Sequence, residues 1–277
     1  MALSLTRPSR QPFLITPEDY HLTYESVAFP SRGDNVPLEG WLLQPESALP
    51  THRPIIAVHG KGSDRTREAN SHILDIAQRL VTQGYPVLLF DLRAAGRSGG
   101  ARFTLGAQEV RDVGGAIDFL DRRGLAGQGV DLLGYSMGGA TALLAAADEP
   151  FVRAVAEDSG FADLNELIDV EVPKASGLPG FFTPGMVLLA RPLVGIDLYA
   201  IRPIDGVAKL AARGIPLLVV HGEADNYIPV VHGRRIGTAY GTNVQTLFVP
   251  DAGHVRSYEA APIVYIDRLL AFFKQSE

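Results

Sequence analysis

The hexapeptide GYSMGG at residues 134–139 contains the pattern G-x-S-x-G, with Ser136 at its centre. An apolar run typical of a buried strand precedes the hexapeptide, and a run of small residues typical of a closely packed helix follows it. In that setting the glycines allow a sharp turn from strand to helix, which lifts the serine hydroxyl above the sheet. The pattern therefore predicts that Ser136 is a nucleophile rather than an incidental serine in a glycine-rich turn.

A serine hydroxyl is a weak nucleophile, so it needs a general base, and the base needs a carboxylate to orient it. When the serine stands on such a turn, its partners follow in the chain order serine, acid, histidine. Three histidines come after Ser136, namely His221, His232 and His254. His254 follows the last predicted strand, so it lies at the carboxyl edge of the sheet, where Ser136 also emerges. We predict that His254 is the base.

The orienting acid is expected in the sequence HGEADNYIP at residues 221–229, which follows the preceding strand. Asp225 is the preferred candidate. Glu223 is an alternative, although it stands nearer the strand end, where a structural pairing would also explain it. Asp158 is a second alternative, because it emerges at the same edge of the sheet after another predicted strand.

Acyl transfer also needs two backbone N–H groups where negative charge develops on the substrate oxygen. One is predicted from Met137, the residue after the nucleophile. The other is predicted from Lys61, in the loop HGKGS at residues 59–63, through its backbone and not its ammonium group.

Apolar strands alternate with amphipathic helices along most of the chain, which predicts a parallel sheet covered by helices on both faces. The opening strands lack an intervening helix, so they are expected to form an antiparallel edge. Residues 73–81 illustrate a predicted helix, with apolar side chains at the i, i+3, i+4, i+7 spacing. The predicted strands are residues 20–29, 38–43, 54–58, 86–90, 130–133, 151–156, 216–220 and 244–249, and further helices are predicted over residues 109–120, 138–147 and 263–273.

This alternation stops between residues 160 and 202, which predicts a cap inserted over one end of the sheet within a single domain of residues 1–277. Connections of this length in compact domains are usually functional. Glycine and proline are expected to break residues 178–194 into short pieces. We expect Phe181, Phe182 and Met186 to line an acyl-binding pocket, and the alternative is that this apolar segment only covers the core.

The segments HGKGSD, LLFDLRAAGRSGG, LGYSMGGATALLAA, EDSGFADL, VVHGEADNYIP and PDAGH resemble those of serine hydrolases with the α/β-hydrolase fold, in the order of that family. The resemblance is closest to the bacterial esterase-like and peptidase-like branch, which has a short cap between the sixth and seventh strands. It implies an eight-stranded, mostly parallel sheet and a catalytic triad of Ser136, Asp225 and His254. One departure is Ala94, where relatives usually carry glycine, in a segment whose role is structural.

The composition excludes several other classes of protein. A net charge of −6 leaves no basic excess to neutralise phosphates, so no nucleic-acid partner is expected. The chain has no cysteine, and its histidines are scattered, so neither a thiol nucleophile nor a metal site is predicted. No phosphate-binding or dinucleotide-binding glycine motif is present, so no cofactor is expected. No apolar run is long enough to span a membrane, and we expect a cytoplasmic protein.

These residues predict hydrolysis of small-molecule carboxylic esters with short to medium acyl chains, through an acyl-enzyme on Ser136. A peptidase or amidase is the first alternative, because H-G-x-x-D-x-x-x-P around Asp225 also resembles the acid loop of the prolyl-oligopeptidase branch. A binding protein that has kept the fold without the chemistry is the second. The sequence does not indicate the oligomeric state.

Overall fold

The computed structural model describes residue 6, residues 10–45 and residues 52–277, apart from the side chains at positions 171, 175, 176, 186 and 190–194. Within these residues the chain forms one eight-stranded sheet in the order β1-β2-β4-β3-β5-β6-β7-β8. The strands are β1 (Tyr24–Pro30), β2 (Pro37–Leu43), β3 (Ile55–Val58), β4 (Val87–Phe90), β5 (Val130–Tyr135), β6 (Val152–Asp158), β7 (Leu217–Gly222) and β8 (Gln245–Val249).

The pairing of the strands confirms the predicted mostly parallel sheet with an antiparallel edge. β2 pairs antiparallel with both β1 and β4, and the other neighbours pair parallel. The first strand starts later than predicted. Pro17–Tyr20 forms a 3-10 turn capped by Thr16, and His21 takes a left-handed conformation that ends it.

Helices cover both faces of the sheet, as expected for apolar parallel strands. Side chains of β3 alternate between the two faces: Ile56 and Val58 belong to one apolar core, and Ile55 and Ala57 belong to the other. The longer helices are α1 (Ile73–Thr82), α2 (Glu109–Arg122), α3 (Met137–Asp148), α4 (Leu164–Ser176), α5 (Thr183–Val194), α6 (Pro203–Ala212), α7 (Val231–Tyr240) and α8 (Pro262–Gln275). Helices α2, α3, α6 and α7 contribute to the first core, and α1 and α8 contribute to the second.

Two helices, α4 and α5, occupy most of the segment between β6 and α6. Buried apolar side chains from this segment, including Phe161, Leu164 and Val187, pack with Ile228 in a separate cluster. The expectation that residues 178–194 are broken into short pieces is wrong for most of that segment. A turn at Gly180–Phe182 leads directly into the twelve-residue helix α5. Its Pro184 falls in the first turn, where a helix needs no N–H donor.

No helix in the described part of the chain is both long and apolar enough to span a bilayer.

Glu157, in the interior strand β6, has its carboxyl group inside the protein. The residue is fully buried, and its Oε2 accepts a hydrogen bond of 2.8 Å from the N–H of Gly160. Burial in this low-dielectric site raises the pKa of Glu157 to about 7, although His221 and the Gly160 N–H partly oppose that rise. The folded protein therefore holds this proton at pH values where an unfolded chain has released it.

Replacing Glu157 with Gln should flatten the pH dependence of stability. Because the folded pKa lies above the unfolded value, the contribution of Glu157 to the free energy of unfolding falls as the pH rises from about 4.5 to about 7. The loss attributable to this one group approaches about 3 kcal/mol above pH 7. Glu157→Gln keeps an acceptor for the Gly160 N–H but cannot ionise. The free energy of unfolding of the variant, relative to that of the wild type, should therefore increase across that pH interval.

Urea unfolding at a series of pH values checks this expectation. Glu25→Gln is the matched control, since that exposed side chain pairs with Arg123 at the surface and contributes at most about 1 kcal/mol. Parallel stability curves for the wild type and Glu157→Gln between pH 5 and 8 would contradict it.

Candidate active site

Ser136 stands on a strained turn between the end of β5 and the start of α3. Its backbone has φ 52° and ψ −120°, a left-handed conformation that a residue with a side chain rarely adopts. Such a conformation costs about 1–3 kcal/mol and persists only where the surroundings impose it. Hydrogen bonds impose it here: the Ser136 N–H donates to the Asp158 carbonyl, and the Ser136 carbonyl accepts from the Ala140 N–H.

The glycines on either side of Ser136 are required by close packing of the backbone. A Cβ atom at Gly138 would lie 2.0 Å from the carbonyl oxygen of Val58 on β3, and one at Gly134 would lie 2.4 Å from the Gly138 carbonyl oxygen. Neither position can therefore carry a side chain unless the backbone moves. The predicted reason for the G-x-S-x-G spacing is thus found in the structure.

The three predicted triad residues come together at the carboxyl edge of the sheet. Nε2 of His254 lies 2.9 Å from Oγ of Ser136, and Nδ1 of His254 lies 2.7 Å from Oδ2 of Asp225. An ionised carboxylate only accepts hydrogen bonds, so the proton is assigned to Nδ1, and Nε2 is left to accept the proton of the serine hydroxyl. These distances match the geometry that a nucleophile, a base and an orienting acid require.

The carboxylate of Asp225 is buried and fully engaged. Its Oδ1 accepts hydrogen bonds of 2.9 Å from the N–H groups of Tyr227 and Ile228, while Oδ2 faces His254. Burial alone would raise the pKa of Asp225, but the hydrogen bonds from His221 and His254 outweigh it and hold that pKa well below its usual value. Asp225 therefore stays ionised beside the imidazole of His254.

The two alternative acids lie in other environments. Glu223 is partly exposed and pairs with Arg234 on α7. Asp158 is fully buried, and its Oδ1 accepts hydrogen bonds from the hydroxyls of Ser159 and Ser257. Burial raises the pKa of Asp158 to about 6, against the opposing hydrogen bond of Ser159. Neither carboxylate makes the contact with Nδ1 of His254 that Asp225 makes.

The loop after β3 lies beside Ser136 and is fixed by two buried side chains that the sequence did not identify. Oε2 of Glu68 accepts the N–H of Gly60, and Nδ1 of His59 lies 2.8 Å from the Gly60 carbonyl. Nε2 of His59 accepts the N–H of Leu92 at 2.9 Å, so the ring links this loop to the segment after β4. No motif in the sequence signals Glu68, because its role arises from contact with residues eight positions away in a folded loop.

A cavity of about 760 Å³ opens above Ser136 and His254, with Lys61 and Met137 also in its lining. One wall is apolar and is formed largely by α4 and the segment before it. Its residues are Phe103, Leu105, Phe161, Leu164, Leu167, Ile168, Val172 and Ile228.

The expectation that Phe181 and Phe182 line this cavity is not met. Their side chains are 76% and 46% exposed, and their tilted rings contact each other outside the lining. The reason is that α4, rather than the turn after it, lies over the serine. The side chain of Met186 lies outside the described residues.

Comparisons with known proteins agree with this architecture. Residues 55–267 match the profile of the alpha/beta hydrolase family. The chain is 27% identical over 238 residues to the uncharacterized protein YfhR of Escherichia coli strain K12, over 84% of this chain and 74% of YfhR. It is 24% identical over 268 residues to YfhR of Salmonella typhi, over 90% of this chain and 81% of that protein.

Solved structures show the same fold. The Pyrococcus furiosus esterase Pf2001 superposes with a TM-score of 0.79 at 24% identity, covering 98% of each chain. The esterase domain from a Rhodothermus marinus protein superposes with a TM-score of 0.63 at 21% identity, covering 91% of this chain and 100% of that one. With its match over residues 55–267, its eight-stranded sheet and its serine on the turn after β5, the chain belongs to the α/β-hydrolase family.

Proposed function

We propose that this protein is a serine hydrolase that cleaves carboxylic esters with short to medium acyl chains. The observation that carries the proposal is the unbroken hydrogen-bonded chain from Ser136 through His254 to Asp225. Two structural neighbours are described as an esterase and an esterase domain, which supports ester hydrolysis as the reaction.

In the proposed mechanism, Oγ of Ser136 attacks the ester carbonyl while Nε2 of His254 takes the hydroxyl proton. His254 then gives that proton to the departing alcohol, and an acyl-enzyme remains on Ser136. A water molecule, activated by His254 in the same way, releases the acid. Asp225 stabilises the imidazolium that forms in both steps, since its buried carboxylate faces Nδ1.

The oxyanion of each tetrahedral intermediate is assigned to the backbone N–H groups of Met137 and Lys61. Met137 is the first residue of α3, and the first N–H groups of a helix have no partner within it. The Gly60 N–H is engaged by Glu68, so it is not the donor from that loop. Lys61, the next residue, lines the cavity beside Ser136.

The apolar wall of the cavity is assigned to the acyl chain. Leu164, Leu167 and Ile168 project from α4 into the lining, and Phe161 precedes them. Burying each CH₂ group against such a wall is worth about 0.8 kcal/mol, or about a fourfold gain in kcat/KM. That gain should continue only while the chain fits within the cavity.

Replacing Ser136 with Ala should abolish turnover of p-nitrophenyl butyrate, lowering kcat by about 10⁶-fold, because no other group supplies the nucleophile. A fluorophosphonate probe should label the native wild type and not the variant, with heat-denatured wild type as the control for specific labelling. Unchanged turnover by Ser136→Ala would contradict the proposal. Anilide turnover comparable to ester turnover by the wild type would favour an amidase instead.

Replacing Asp225 with Asn should lower kcat by about 10⁴-fold and leave the fold intact, since the imidazole loses the charge that orients it. Asp158→Asn is the matched control. It should lower kcat less than about tenfold, because Asp158 bonds to Ser159 and Ser257 rather than to His254. The two variants are compared by kcat on one ester, after unfolding curves show that both are folded. A larger loss of kcat in Asp158→Asn than in Asp225→Asn would assign the role of the orienting acid to Asp158.

Replacing Leu167 with Ala should lower kcat/KM for butyrate and hexanoate esters by several-fold and leave acetate nearly unchanged, because it removes part of the apolar wall. Leu188→Ala is the matched control. That leucine is 67% exposed on α5, so its replacement should not change kcat/KM for any of the esters. Phe181→Ala should also have no effect. The measurement is kcat/KM across a series of p-nitrophenyl esters. If Leu167→Ala leaves the dependence on acyl length unchanged, α4 only packs over the core and does not bind the acyl chain.

A further inference from the structure

A second histidine lies against the carboxylate of Asp225, outside the lining of the cavity. His221, near the end of β7, is fully buried, and its Nε2 lies 2.8 Å from the Ile228 carbonyl oxygen and 3.4 Å from Oδ2 of Asp225. A carbonyl oxygen can only accept a hydrogen bond, so Nε2 carries a proton. That one N–H therefore faces both the Ile228 carbonyl and the carboxylate oxygen that also contacts His254.

The loop after β7 closes on itself around this histidine. Ile228 donates its N–H to Oδ1 of Asp225 and directs its carbonyl at Nε2 of His221. The carboxylate is thus held on one oxygen by backbone groups and on the other by two imidazoles. If His221 were removed, His254 would be the one imidazole left in contact with Oδ2 among these groups.

Helix α7 packs against the Nδ1 edge of the His221 ring. A Cβ atom at Gly233 would lie 2.8 Å from Nδ1 and 3.2 Å from Cβ and Cγ of His221. Within the described residues Nδ1 has no hydrogen-bond partner, so no second bond competes to turn the ring. The ring is fixed between the loop, through Nε2, and the helix, through packing.

We propose that His221 is a positioning residue that fixes the Asp225 carboxylate so that Oδ2 meets His254. The proposal rests on the proposed function of the triad. His221 acts through Asp225 and not on the substrate, since it is absent from the cavity lining.

The charged and titratable groups around His221 favour this role. Asp225 on the loop contacts it, and Glu157 and Asp158 on β6 and His232 on α7 lie close enough to interact with it electrostatically. Burial lowers the pKa of His221, but the hydrogen bond to Asp225 and the nearby Glu157 outweigh burial and raise it overall. When the pH rises through that pKa the proton leaves Nδ1, because Nε2–H stays bonded. The hold on Asp225 therefore survives in both charge states.

The first test compares His221→Gln with His221→Leu on a p-nitrophenyl ester. Glutamine can place an amide N–H near the Nε2 position, so its kcat should stay within about tenfold of the wild type. Leucine supplies no donor, so its kcat should fall by about 100-fold while KM changes less than about twofold. The acid limb of the kcat/KM–pH profile should move upward by about half a unit in His221→Leu, because Asp225 loses a donor and becomes more basic, and by less in His221→Gln.

The second test leaves every titratable group in place, in case His221→Leu does not fold. Gly233→Ala pushes a methyl group against Nδ1 and should lower kcat by about tenfold. Gly237→Ala, one turn along α7, is the matched control, because its nearest atoms lie 3.7 and 3.8 Å away. Both replacements raise helix propensity by the same amount. A difference in kcat between the two variants therefore reflects displacement of the His221 ring.

Wild-type kcat with an unshifted pH profile in His221→Leu would overturn the proposal, as would equal kcat in Gly233→Ala and Gly237→Ala. Equal losses in His221→Gln and His221→Leu would also overturn it, because a merely structural residue would show no rescue by the donor. These outcomes are distinct from failure of the proposed function, which would appear as turnover by Ser136→Ala.

Discussion

The contact between the turn after β5 and the end of β3 is the constraint on which the site depends. The backbone of Gly138 lies so close to the Val58 carbonyl that a Cβ atom there would stand 2.0 Å from it. This approach starts α3 at the edge of the sheet, next to the hydrogen bonds that hold Ser136 in its left-handed conformation, and brings the loop at Gly60 beside it. A Cβ atom at Gly60 would lie 3.0 Å from Cβ of Ser136. Ser136 and the loop at Gly60 are thus brought together by one close packing contact.

His254 and Asp225 are positioned near Ser136 by a second close contact, between the loops after β7 and β8. A Cβ atom at Gly222 would lie 2.3 Å from the Ala252 carbonyl oxygen, and the Ala224 N–H donates to that same oxygen at 3.0 Å. The loop that carries Asp225 and the loop that carries His254 are therefore held against each other. Catalytic groups need such support, because a displacement of about 1 Å can cost about 10²-fold in rate.

Buried ionisable groups beneath the site give it rigidity at some cost in stability. Asp158 bonds to Ser159 and Ser257, and the hydroxyl of Ser159 accepts the N–H of Val255, next to His254. Burial raises the pKa of Asp158 to about 6 and that of Glu157 to about 7, so both carboxyl groups oppose folding as they ionise. Such groups are tolerated where they fix a geometry that apolar packing alone would leave free.

The sequence by itself predicted the strand segments, apart from the start of β1, and singled out Ser136 and His254 as candidate catalytic residues. These features are local: an apolar run, a glycine spacing and the position of a polar residue just after a strand are readable without knowing what lies opposite. The choice of Asp225 over Glu223 and Asp158 needed the folded loops to decide which carboxylate meets Nδ1. The tertiary structure alone decided that α4 and not Phe181 faces the cavity, that Glu68 engages Gly60 and that His221 backs Asp225. Each of these depends on how separate elements pack against one another, and a pattern along one segment does not specify which face of that segment meets a partner from elsewhere in the chain.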